Sequence, residues 1–196
     1  MAGGTVMSTR SPGRRPPQWL RLLFETTTAG PPVDVALLAV RIALAWIFIY
    51  YGAAKLFGAF PGAGLHGLQQ TALYMSQTAH LRPGEFFAVL AGLIEFGGGI
   101  AMALGLCTRL AGLALFGDMV MATITVTWAT GISSTSAPPG YQLNLVLAAL
   151  ALTATLIGAG RFSIDAVIAR ALSQGRKVDP LKGNLAHPRG ASTSTV

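Results

Sequence analysis

Charge is scarce in this chain. Only 11% of its 196 residues are Asp, Glu, Lys or Arg, whereas a soluble domain carries about 25%. That scarcity, with 52% hydrophobic residues, argues against a water-soluble fold and for one built for lipid. Cysteine occurs once, at Cys107, which excludes an internal disulfide and a C-x-x-C redox pair. Histidine occurs three times, and His66, His80 and His187 all fall outside the long apolar runs. A haem held by two histidines within the membrane is therefore excluded. On one straight helix His66 and His80 would stand about 21 Å apart, too far to share a metal. No glycine-rich nucleotide fingerprint follows a strand, and no Ser/His/Asp constellation is available. The chain by itself is poorly equipped for redox chemistry.

Long apolar runs dominate what is there. Four of them read as membrane helices, at about residues 33–56, 85–106, 110–130 and 141–157, the last near the lower length limit for a span. The expected fold is an all-α membrane protein: a four-transmembrane-helix bundle with short interfacial helices. The net charge of +7 does not point to nucleic acid, because the basic residues gather at the ends of the apolar runs. Arg10, Arg14, Arg15 and Arg21 precede the first run, Arg109 lies in the 2–3 turn, and six more follow the fourth run. Only Lys55 and Arg82 flank the 1–2 connection, and the 3–4 loop has neither Lys nor Arg. The positive-inside rule then places both termini of this multi-pass protein in the cytoplasm.

The flanks read differently. Residues 1–32 form a basic leader expected to be mostly disordered, with a short interfacial helix around Trp19, Leu22 and Leu23. No secretory signal peptide is expected, because the first apolar stretch lies behind that polar leader and is too long. Between the first two spans, Leu65, Leu68, Ala72, Met75 and Ala79 recur at helical spacing, so an amphipathic loop helix is expected over about 64–79. Residues 161–196 read as a cytoplasmic amphipathic helix, with Ser163 able to cap it, and a polar tail.

The centre of the chain is Ile94–Arg109, which carries an acid, Glu95, in mid-span. A carboxylate at the bilayer centre is costly, so it should face other helices. Gly92, Glu95 and Gly99 share one face of the second helix, and Gly97, Ala101 and Gly105 line a nearly opposite one. With Gly98, these small residues are candidates for close helix packing. Arg41, Asp118 and Glu95 fall at similar depths, about 12, 13 and 16–18 Å from the inner surface. Lys55 lies about 21 Å beyond Arg41 on the same stripe, where it can snorkel to the far surface. Asn144 begins a polar stripe on the fourth helix. Candidate proton-exchanging residues are therefore Glu95 and Asp118, and a candidate polar pocket comprises Arg41, Lys55, Glu95 and Asn144. One cation facing two acids leaves a net negative charge, so one acid, Glu95 by preference, is expected to hold or exchange a proton. No metal site and no covalently bound cofactor is indicated; such a pocket suits a quinone, a small solute or protons, and the same charges could instead be an ion pair that only fixes helix packing.

These motifs resemble DoxX/DoxD-type membrane proteins. Arg41 with Gly52-x-x-Lys55 resembles the family's first helix, and Glu95-Phe96-Gly97-Gly98-Gly99 followed by Thr108-Arg109 its second helix and turn. Asn144 and Gly158-Ala159-Gly160-Arg161-Phe162-Ser163-Ile164-Asp165 resemble its ending. The resemblance covers about residues 35–168. It implies an integral subunit of a redox complex in the inner membrane, quinone-linked in DoxD-type members and serving thiol balance or oxidant defence in DoxX-type ones. Other membrane or peripheral subunits would then supply the redox cofactor. Asp118 is not required by the motif. The alternatives are a non-catalytic scaffold or assembly subunit, and a small-solute carrier, which the lack of broken helices and inverted repeats disfavours.

Overall fold

A computed structural model describes residues 30–60, 64, 66–133, 135 and 139–174. The expected leader helix around Trp19 and the polar tail beyond residue 174 lie outside the described residues. Among those residues every regular element is helical: α1 (Pro31–Phe57), α2 (Leu68–Gln77), α3 (Gly84–Leu104), α4 (Thr108–Ala122), α5 (Gln142–Ile157) and α6 (Ile164–Gln174). A π-helical turn, Thr123–Thr127, and a 3₁₀ turn, Trp128–Thr130, continue α4 without a break.

Local chemistry sets the ends of these helices. Pro31 and Pro32 occupy the first turn of α1, where a missing N–H costs nothing. Gly58 closes α1 in the left-handed conformation at φ 68°, its N–H bonded to Ala54 O. Gly105 does the same for α3 at φ 63°, as glycine commonly does at helix C-termini. Ser163 Oγ accepts the Ala166 N–H at 3.1 Å and starts α6, an N-cap bond.

α1, α3, α4 and α5 form the bundle. α1 packs along α3, α4 along α5, and α3 joins the two pairs through its contact with α4, while α1 also touches α5. Two seams are tight. A Cβ on Gly52 would collide with the Phe96 backbone, and one on Gly99 would stand 2.9 Å from Ile49 N, so α1 and α3 meet almost backbone to backbone. A Cβ on Gly112 would lie 2.8 Å from Ala151 O, which marks the same intimacy between α4 and α5. Leu44, Phe48, Met102, Leu115, Leu147 and Ala151 fill the centre.

The outside of the bundle is apolar. Trp46 is 77% exposed, and Ile42, Leu93, Leu113 and Ile124 are exposed with it. In water such a surface would be unstable; in a bilayer it is solvated. By length and composition α1, α3 and the Thr108–Thr130 helix can cross a membrane, whereas α5 is apolar but only 16 residues long. The chain is thus a multi-pass membrane protein in outline.

The two ends of the bundle differ. At one end the start of α1, the α3–α4 turn and the α5–α6 segment converge, as the Arg161 N–H to Asp34 Oδ1 bond of 3.0 Å shows. The opposite end carries α2, which packs on α3 and is tied to α1 by Gly67 N to Ala54 O at 2.9 Å.

Candidate functional site

Buried charge falls into two groups, one at each level of the bundle. The first surrounds Arg41, which is 1% exposed. Its Nε donates to Met102 O at 2.9 Å and Nη2 to Ala103 O at 3.2 Å, two of the last carbonyls of α3. Its Nη1 donates to Ala159 O and Phe162 O, both at 2.8 Å. The end carbonyls of a helix have no partner within it and carry its negative pole, so a cation with a rigid fork of donors fits there. Gly105 clears the space: a Cβ on it would meet the guanidinium.

Two acids complete this group. Asp165 accepts the Cys107 and Thr108 N–H groups at 2.7 and 2.9 Å and thereby caps the N-terminus of α4 from a distant part of the chain. Asp34 Oδ1 accepts the Arg161 N–H, and its other oxygen lies 3.9 Å from the Arg161 Nε, an ion pair without a hydrogen bond. Cys107 sits in the same corner at φ 46°. Burial, and then the Asp165 charge, push its thiol above the ordinary value.

The second group lies higher. Lys55 Nζ donates to Glu95 Oε1 at 2.5 Å. Glu95 is 2% exposed, and its Oε2 is buried with no hydrogen-bond partner. Asp118 brings a second carboxyl within hydrogen-bonding reach of Glu95 and within the field of Lys55. The Tyr74 phenol of α2 also feels Lys55, although burial pushes it above its ordinary value, which keeps it a neutral donor. α1, α2, α3 and α4 each contribute one member. An orphaned acceptor oxygen in a low-dielectric interior is expensive, and a second carboxyl at its side relieves that cost if it carries a proton.

The expected pocket is thus divided. Lys55, Glu95 and Asp118 come together, and Lys55 turns inward to Glu95 rather than only reaching for the surface. Arg41 does not meet the acids: its carbonyl partner Met102 lies seven residues beyond Glu95 on α3, about 10 Å along the axis, and the carboxylate whose field reaches it is Asp165. Asn144 is elsewhere too, donating from Nδ2 to Thr127 Oγ1 at 3.3 Å in the π turn. Among the small residues of α3, Gly92 lies against Leu56, Gly98 against Leu115 and Gly99 against α1. Ala101 is half-buried. Gly97 has no atom within 4 Å of a built Cβ and lies on the outside beside Leu93 and Ile100. Sequence reasoning missed Tyr74 and the crossing glycine Gly112, and it named Gly52 for its place in the first-helix motif but not as a crossing point. Nothing in the sequence ties Tyr74 to Lys55; the structure does, since Tyr74 follows Thr71 by one turn and Thr71 Oγ1 donates to Lys55 O at 3.4 Å.

Among the described residues no group of three or more His, Cys, Asp and Glu could hold a metal ion. Nothing among curated proteins or solved structures matches the chain. The family model described as DoxX matches residues 36–128, which takes in α1 beyond its first turn and all of α2, α3 and α4, with Arg41, Lys55, Glu95 and Asp118. Over that stretch, residues 36–128, the chain matches the DoxX family.

Proposed function

We propose that this chain is the integral subunit of a redox complex in the cytoplasmic membrane, quinone-linked or serving thiol balance and oxidant defence. In this reading α5 makes a fourth crossing and both termini are cytoplasmic. The Lys55–Glu95–Asp118 cluster holds and exchanges a proton for chemistry that a partner subunit's cofactor performs. One observation carries the reading: Glu95 is sealed in the bundle with one oxygen on a lysine and the other left without a donor. A purely structural ion pair satisfies both ends, whereas this one keeps an open acceptor beside a second carboxyl.

The residues suit a quinone headgroup in part. Lys55 offers a donor for a carbonyl oxygen, and Glu95 Oε2 offers an acceptor for a quinol hydroxyl. A bound quinone would supply two-electron, two-proton chemistry, while this chain's own residues would hold the proton at a carboxyl. Arg41 and Asn144, engaged elsewhere, take no part in this version of the site.

The test is the copurified complex with Glu95→Gln. Removing a positioned proton-exchanging group costs about 10²–10⁴ in rate, so quinone reduction should fall by that order. An unchanged rate would take Glu95 out of the mechanism.

A scaffold role is favoured by a different observation, the open positions at Gly97 on α3 and Gly117 on α4, where a Cβ would meet nothing within 4 Å. Gly97→Leu is therefore a clean probe of packing between chains. If it dissolves a complex while Glu95→Gln leaves activity alone, the subunit is a scaffold.

A further inference from the structure

The buried cluster is not symmetrically placed between the two ends of the bundle. One turn from Asp118 towards the Arg41 end, Leu115 is fully buried, and Phe48, Leu44 and Met102 join it in a layer no more than 1% exposed. Among the described residues these four side chains are all apolar, and the nearby Thr155, beside Gly112, spends its hydroxyl on Ala151 O at 2.9 Å. Towards the α2 end the picture reverses. The Lys55 side chain is 16% exposed while that of Glu95 is 3%, so exposure rises along the ion pair in that direction. α2 lies over this opening, tied down by Thr71 Oγ1 on Lys55 O and by Gly67 N on Ala54 O. Tyr74, one turn along α2 from Thr71, presents a half-buried phenol to the same lysine. The titratable groups facing the cluster are then Lys55 from α1, Tyr74 from α2, Glu95 from α3 and Asp118 from α4; α5 carries none.

We propose that the Glu95–Asp118 pair gains and loses its proton from one side of the membrane only, the side bearing α2, through Lys55 and with Tyr74 as the positioning residue at the opening. The step is a relay of one proton. The Lys55 ammonium gives a proton to the Glu95 carboxylate, and the resulting amine is reprotonated by a hydronium ion from the α2-side medium, which passes the Tyr74 hydroxyl and leaves as water; release runs in reverse. No other bond changes and no electron moves. The proposal rests on the reading of the cluster as a proton site, but its test needs no turnover, so either can fail without the other.

Sealed vesicles of either orientation provide the test, in a Cys107→Ser background. Arg161→Cys, at a half-exposed position of the Arg41 end, reports which end faces outward. A membrane-impermeant methanethiosulfonate should modify Lys55→Cys only in vesicles where Arg161→Cys is protected, and Tyr74→Ala should speed that modification severalfold. Modification of Lys55→Cys from the Arg161 side, at equal or greater rate, overturns the proposal. A second measurement keeps the lysine. In oriented proteoliposomes, the carboxyl infrared signal should follow a pH jump on the α2 side, about tenfold or more slowly in Tyr74→Phe. A signal that instead follows a jump on the Arg161 side overturns the proposal as surely.

Discussion

Arg41 shows how a buried charge can be structural without an acid beside it. Its four hydrogen bonds go to carbonyls of two separate segments, so it fastens the end of α3 to the approach to α6. A lysine keeps the charge but not the planar fork. Arg41→Lys should therefore lose at least two of the four bonds and destabilise the protein by about 2–6 kcal/mol, at roughly 1–3 kcal/mol per stranded buried acceptor. Thermal unfolding in detergent measures it; a loss within experimental error would mean that the carbonyls find other donors. The depth calculation put Arg41, Glu95 and Asp118 in one slab, yet depth says nothing of direction around the bundle. Backbone carbonyls leave no letter in a sequence, so the true partners of Arg41 were not legible. Glu95 was, because a lone carboxylate amid apolar residues has to turn inward. Cys107 offers a second test at this scale. Only the thiolate is nucleophilic, and a thiol pushed upward is less ionised at any given pH. Its alkylation should follow a pH profile displaced above that of free cysteine; a profile displaced downward contradicts the burial and the neighbouring Asp165 charge.

Among the elements, some helix ends follow from a single residue: Gly58 closes α1, and Pro31 and Pro83 stand at starts, because each acts through its own backbone geometry. Gly105, expected as a packing position within the second helix, instead ends it in the left-handed conformation at φ 63°. Which glycines make helices meet was less readable. Every glycine on α3 looks alike on a helical wheel, but only the neighbour's position decides which is needed. Gly52, on α1, lies where Phe96 leaves no room for a Cβ, and Gly97 lies where nothing stands. Gly52→Val should force α1 from α3 at a cost of about 1–3 kcal/mol or more, whereas Gly97→Leu should alter the stability of the single chain by within about 0.5 kcal/mol. Denaturation of the two variants side by side separates them, and equal losses would refute the seam described here. The π turn at Thr123–Thr127 was not foreseen. Its extra residue per turn leaves no mark in hydrophobic periodicity, and threonines bonding back to their own helix, as Thr123 does to Met119 O, are ordinary in any apolar helix.

The whole molecule is asymmetric. Arg109, Arg161 and Arg170 gather at the Arg41 end, whereas Lys55 and Arg82 serve the α2 end, and lysine and arginine set orientation by their excess in cytoplasmic loops. The Arg41 end should therefore face the cytoplasm. Accessibility of Arg161→Cys to an impermeant thiol reagent, in intact and in inverted cells, tests this; labelling from the outside of intact cells would reverse the assignment. The all-helical class and the bilayer as surroundings were evident from composition, because scarcity of charge is a property of the whole chain. Pairing of particular charges across helices was not, since it depends on how the bundle turns each face.

Arg41 has one last consequence, for how the molecule comes apart. Its four ties join portions of chain about sixty to one hundred and twenty positions distant in sequence, so none can be released by fraying a single terminus. The opposite pole is held by α2 and by ring stacking such as Trp128 on Tyr141. Under force or heat the loop-helix pole slackens first, and the guanidinium clasp is the last connection to yield.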